Sequence, residues 1–205
     1  MIRTLSIATL VALAAPPALH AQDTLVAPRA KGRSDAPITV YEMADFECPY
    51  CRDFAIKTLP AIDQQYIRTG KVYWVFINFP LTQVHPNAEA AAEFAACAAR
   101  QGKFWATHDR LYATQDQWAP LKDPRQFFSA QIPGLALNEK ELMACLRSGA
   151  GQAFVKNDAM LAERSGAGST PTFYIEGGLL VGNQPLNVFQ HVLDSIYTAR
   201  TAGKH

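Results

Sequence analysis

Cys48-Pro49-Tyr50-Cys51 stands where two kinds of local structure meet, and that junction restricts the fold more than any other feature of the chain. Residues 38–46 before it are rich in β-branched and aromatic side chains and predict a strand. Residues 52–68 after it predict a helix, closed by Gly70. Residues 72–79, VYWVFINF, follow as an uncharged run of strand length, which suits a strand covered on both faces. The first half of the chain is therefore a β-α-β unit with a cysteine pair at the strand-to-helix turn.

The second half predicts helices at 86–101, 104–114, 124–130, 139–146 and 152–165. Strands at 172–175 and 179–181 flank Glu176-Gly177-Gly178, a hairpin turn, and a last helix covers 186–199. The order is β-α-β, a helical block, then β-β-α. The helical block has no strands of its own. It reads as an insertion at about 86–166, covering one side of an α/β domain that spans 38–200.

The chain has 205 residues, 49% of them hydrophobic and 18% charged, which fits one globular domain and excludes a disordered or collagen-like chain. Lys+Arg is 19 and Asp+Glu is 18, so no basic excess points to nucleic acid. Residues 1–21 read as a secretory signal. Arg3 begins it, 5–15 are apolar but for Ser6 and Thr9, Pro16-Pro17 end the run, and Ala21 offers a small residue near the cut. Cleavage there leaves 184 residues with 18 basic and 18 acidic side chains, and puts Cys48, Cys51, Cys97 and Cys145 in an export compartment such as the periplasm, where disulfides persist. Residues 22–37 read as a leader before the fold.

A helix start exposes free N–H groups and the positive end of the dipole, so a Cys48 thiolate is stabilised there. Pro49 suits the first helical position, where its missing N–H costs nothing. Cys51, one turn on, is expected beneath as the buried sulfur, with Cys48 as the exposed one that attacks and is attacked. Three other meanings stay open. Half a zinc site lacks a second close Cys/His pair. A static disulfide is badly placed at a helix start. A Cu(I) carrier has soft sulfur, but Met1, Met43, Met143 and Met160 form no cluster. No metal-ligand spacing accompanies His85 or His108, for which surface or capping roles are expected, and no metal or cofactor is expected. Trp74, Trp105 and Trp118 are expected to pack, and Phe46 either packs or lines a peptide groove.

The segment Phe46-Glu47-Cys48-Pro49-Tyr50-Cys51 after a strand, with Ser169-Thr170-Pro171-Thr172-Phe173 about 120 residues later, resembles the DsbA-like thiol:disulfide oxidoreductases of the thioredoxin superfamily. So does the segment 97–105 with His108-Asp109, which is similar to their helical insertion. The resemblance covers roughly 36–200 and implies a thioredoxin-like fold. It implies that Pro171 is a cis-proline facing the cysteine pair and that Thr170 offers its backbone to an extended substrate. It implies that Glu42, six residues before Cys48, is a buried acid acting on the proton of Cys51. Lys71 is the candidate lysine beside that acid. Pro49 and Tyr50 would line the substrate side. DsbA has histidine where this chain has Tyr50, which supplies no positive charge, so a weaker oxidant than DsbA is expected.

The resemblance also implies exchange with thiols or disulfides of secreted proteins and a membrane partner that reoxidises the protein. The direction of electron flow stays open between an oxidase and a reductase or isomerase kept reduced by a membrane donor. Residues 22–37 are too few for the N-terminal dimerisation domain of the isomerase branch, so a monomeric oxidase is expected. Cys97 follows Phe94 by three and Cys145 follows Leu142 by three, each on an apolar helical face. The two are either bonded, as an extra pair is in some relatives, or free and buried as small hydrophobes.

Overall fold

The computed structural model describes residues 27–202, so the expected signal sequence lies outside the described residues. Strand β2 (Ile38–Ala44) is the centre of a five-stranded sheet. It pairs in parallel with β3 (Val72–Asn78) and antiparallel with β4 (Thr172–Ile175), which pairs antiparallel with β5 (Gly178–Val181). The other edge is β1 (Ala30–Lys31), antiparallel to β3 with Ala30 opposite Val75 and Lys31 opposite Trp74. This is the expected β-α-β and β-β-α arrangement, with a helical insertion. The edge strand falls within 22–37, read from sequence as a leader. Two residues carry no alternation to betray a strand.

The helix after the cysteines, α1, runs over 49–67 and begins at Pro49, three residues earlier than expected. It is α-helical over Pro49–Asp53 and Leu59–Ile62 and widens to π geometry over Phe54–Thr58 and Asp63–Ile67. Pro60 explains the first widening. It has no N–H for the carbonyl four residues back and its ring crowds that carbonyl, so the preceding turn opens to accommodate it. Helix α1 and the last helix, α8 (Leu186–Thr201), cover one sheet face. There Ile38, Val40, Trp74 and Phe173 pack against Phe54, Ile62, Phe189 and Leu193.

The insertion comprises α2 (Ala88–Ala99), α3 (Phe104–Ala113), α4 (Gln115–Trp118), α5 (Arg125–Gln131), α6 (Glu139–Arg147) and α7 (Ala150–Arg164). Alanines make α2 slim, and nine of its twelve residues are buried among its neighbours. Cys97 of α2 and Cys145 of α6 are joined by a disulfide, with Cα atoms 5.8 Å apart. Gly151 lets α7 approach, since a Cβ there would stand 2.9 Å from the Cys97 sulfur. Helix α7 covers the other sheet face, where Ala162 meets Met43, Val75 and Ile77. Asp158 of α7 pairs with buried Arg29 at 2.5 Å and accepts from the Asn78 N–H at 3.0 Å, which ties the insertion to the start of the described chain.

Candidate active site

Strand β2 ends at Ala44, and the turn 45–48 delivers Cys48 to the N-cap of α1 in an extended conformation (φ −69°, ψ 123°), with Pro49 at the first helical position. The turn is held from several sides. The Cys48 N–H donates to the Asp45 carbonyl at 3.2 Å. Gln115 of α4 donates its amide to the carbonyls of Phe46 (2.7 Å) and Cys48 (3.1 Å). The Glu47 carboxylate accepts from the Asn87 N–H at 2.6 Å. Gln115 is not visible from sequence as part of the site, because it acts on backbone carbonyls 69 and 67 positions away, and Asp45, next to the motif, acts largely through its own backbone groups.

Thr170-Pro171 is a cis peptide bond, and the Thr170 carbonyl lies 3.4 Å from Cys48 Sγ. That contact covers Cys48, which is 4% exposed and corrects the expectation of an open sulfur. Cys51 is fully buried and its sulfur accepts from the Asp45 N–H at 3.5 Å. Both are free thiols. The two sulfurs nevertheless differ sharply. A hydrogen bond with the Cys51 thiol is the largest influence on Cys48. Burial opposes it, the Thr170 side chain and the N–H groups of Cys51 and Tyr50 add to it, and the Cys48 pKa falls to about 6. Burial pushes the Cys51 thiol well above the ordinary value, the hydrogen bond with Cys48 and the nearby charges add to it, and the Asp45 N–H only partly opposes it. Tyr50 points outward beside the pair and is 64% exposed.

Glu42 is fully buried, on the sheet face that α1 covers, opposite Phe76 and Phe173. Trp74 Nε1 donates to its Oε2 at 2.8 Å, while Oε1 has no partner within the protein. Burial raises its pKa to about 7, with Trp74 and Lys31 pulling the other way. The lysine that acts on it is therefore Lys31 of β1, not Lys71. The Lys71 ammonium lies over the rings of Tyr66 and Tyr197, 5.4 and 5.1 Å from their centroids.

Phe46 packs in the core, stacked on Phe76 at 5.1 Å, and lines no groove. His108 is not at the surface. It is buried among Phe46, Phe76, Phe104, Trp105 and Tyr112, where burial lowers its pKa. The His85 carbonyl accepts from the N–H of Ala88 at the start of α2 (3.2 Å), while its side chain faces Asp45, with Nδ1 2.8 Å from Oδ2. Among the described residues, no group of three or more His, Cys, Asp or Glu side chains is gathered to hold a metal ion.

The family model described as Thioredoxin matches residues 24–195. The chain is 30% identical over 152 residues to the probable disulfide bond formation protein D of Bacillus anthracis, across 72% of this chain and 69% of that protein. It is 40% identical over 147 residues to the Na(+)/H(+) antiporter NhaA 3 of Salinispora tropica, spanning 72% of this chain but only 21% of the antiporter. Among solved structures, Wolbachia pipientis alpha-DsbA1 superposes with a TM-score of 0.75 at 24% identity, over 86% of this chain and 94% of that one. Oxidised BdbD from Bacillus subtilis gives 0.74 at 20% identity, over 83% and 92%. These two likenesses concern the fold. The chain belongs to the thioredoxin family. Within that superfamily it is a DsbA-like protein, with the cysteine pair at the start of α1 and the helical insertion between its two halves.

Proposed function

We propose that this protein is an exported thiol:disulfide oxidoreductase that passes its Cys48–Cys51 disulfide to the thiols of secreted proteins. The observation that carries this reading is the contrast between the two sulfurs: a Cys48 thiol lowered to about 6 beside the Thr170 carbonyl, and a buried Cys51 raised well above its ordinary value. A substrate thiolate attacks Cys48 Sγ, the Cys48–Cys51 bond breaks, and Cys51 leaves with the electron pair and takes up a proton. Glu42, buried and with its pKa at about 7, is the group suited to supply that proton near neutral pH. The substrate's second thiolate then attacks its own sulfur in the mixed disulfide, and Cys48 leaves as a stabilised thiolate. Two electrons pass to the protein and a disulfide to the substrate.

A stabilised leaving thiolate makes the disulfide easier to reduce, which favours the oxidising direction. A membrane redox protein would restore the disulfide, and the protein would work as a monomer in the periplasm after cleavage near Ala21. Tyr50 adds no cation at the helix start, which keeps the reductase or isomerase direction as a second reading and predicts a potential between those of DsbA (about −120 mV) and thioredoxin (about −270 mV).

Refolding of reduced ribonuclease by the oxidised protein, with Cys48→Ser as control, tests the activity. Catalysis lost in the control supports the reading, and no catalysis by the wild type rejects it. Equilibration with glutathione sets the direction, since a potential near thioredoxin's favours the reductase.

A further inference from the structure

Asp45 is fully buried next to the cysteine pair, and its two halves do different things to Cys51. Its backbone N–H donates to Cys51 Sγ at 3.5 Å, which favours negative charge on that sulfur. Its carboxylate carries a negative charge of its own, which disfavours it. The carboxylate accepts the Glu47 N–H on Oδ1 at 2.7 Å and the Leu81 N–H on Oδ2 at 2.8 Å. The side-chain partner on Oδ2 is His85, whose Nδ1 stands 2.8 Å away and donates to it. Glu47 is the other acidic group acting at this place, and its carboxylate is also influenced by His85. His85 is thus a hydrogen-bonding side chain held on the Asp45 carboxylate at the edge of the redox turn. Nothing in the exchange chemistry described above uses it.

We propose that His85 is a positioning residue for the exchange reaction: by donating to Asp45 it offsets the carboxylate beside Cys51 and steadies the N–H that faces the Cys51 sulfur, and so sets how readily Cys51 leaves. The proposal rests on the oxidoreductase reading. When a thiolate attacks Cys48 Sγ, a new S–S bond forms, the Cys48–Cys51 bond breaks, and the electron pair goes to Cys51. Negative charge therefore grows on the sulfur that Asp45 faces. Cys48 makes its own contacts with Thr170 and Cys51, and neither runs through the Asp45 carboxylate. His85 should then govern the departure of Cys51 and leave the ionisation of Cys48 nearly unchanged.

The test follows the reaction of the oxidised full-length protein with excess reduced glutathione by stopped flow. His85→Ala is expected to slow the first exchange about three- to tenfold, because leaving-group basicity enters the rate directly. His85→Lys restores most of the rate, His85→Gln restores less, and the pH profile of Cys48 alkylation in the reduced variants stays in place. In an Asp45→Asn background, His85→Ala adds little, since the two side chains act as one unit. A wild-type rate in His85→Ala overturns the proposal. So does a Lys variant no faster than the Ala variant, or a loss of equal size in both backgrounds. If Asp45→Asn fails to fold, the comparison of Lys, Gln and Ala at position 85 decides alone. A wild-type protein that exchanges with no thiol overturns the oxidoreductase reading itself, which distinguishes that failure from a failure at His85.

Discussion

Cys48 Sγ lies 3.4 Å from the carbonyl oxygen of Thr170, a residue 122 positions further along the chain. The contact joins the two halves of the fold across the insertion and places the reactive sulfur beside the cis-proline segment. The thiol there has its pKa lowered to about 6, mainly through Cys51. Alkylation of the reduced protein should therefore reach half its maximal rate near pH 6 at Cys48, with Cys51 unreactive through neutral pH. Peptide mapping after iodoacetamide treatment measures both. Half-maximal alkylation near the ordinary thiol value of 9.0 contradicts the geometry. A midpoint below about 4, in the range of the most acidic thiols, contradicts the inference drawn from Tyr50.

Glu42 gives a stability prediction. Its carboxyl is raised from 4.5 to about 7, so the folded state holds the proton more tightly than the unfolded one. The sign follows: stability from this group is full below pH 4.5 and falls as pH rises to 7, by about 3 kcal/mol in all. Glu42→Gln keeps an acceptor for Trp74 Nε1 and removes the buried charge. Urea unfolding of the reduced variant should show it more stable than wild type at pH 8 and equal to it at pH 4. On the proposed role of Glu42 as proton source for Cys51, thiol exchange at pH 7 should slow. Equal stability of the two proteins at pH 8 would show that Glu42 is not buried as a charge.

The Cys97–Cys145 disulfide closes a loop with a sequence separation of 48 residues inside the insertion, remote in chain and role from the redox pair. Replacing both cysteines with alanine should cost about 4 kcal/mol of stability by the chain-entropy argument. Exchange at Cys48 should persist at 25 °C. Denaturant unfolding and a thiol-exchange rate on the same variant separate the two effects.

Gly151 predicts a loss of another kind. An added Cβ would stand 2.9 Å from Cys97 Sγ and 3.1 Å from the Glu93 carbonyl oxygen, and the second of these is backbone that cannot swing aside. Gly151→Ala should destabilise the protein by about 1–3 kcal/mol through overpacking, despite the better helix propensity of alanine. A more stable variant would show that α7 can shift away from α2.

Local patterns made much of the fold readable. The uncharged run 72–79, which holds β3, the hairpin turn at Glu176-Gly177-Gly178 and Pro49 at the first position of α1 each declare themselves within a few residues. What stayed hidden depended on the third dimension. Lys31 reaches the surroundings of Glu42 from a two-residue edge strand, while Lys71, nearer the expected strand, turns toward Tyr66 and Tyr197. His108 looks like a surface histidine until five aromatic rings, from the redox turn, β3 and its own helix α3, close around it. Asp45 and His85 are forty residues apart and meet only because the loop before α2 folds back over the redox turn. The widened turns of α1 are a matter of hydrogen-bond register, which residue periodicity does not record beyond the presence of Pro60.

The most direct measurement is to trap the exchange intermediate. A Cys51→Ser variant should form a stable mixed disulfide with a reduced, unfolded substrate protein under mild oxidation, because the second sulfur that would release it is gone. Mass spectrometry of the digested adduct should find the substrate sulfur on Cys48, with Cys97 and Cys145 still joined to each other. An adduct on Cys97 or Cys145, or no adduct at all, would contradict the assignment of Cys48 as the sulfur that substrates meet.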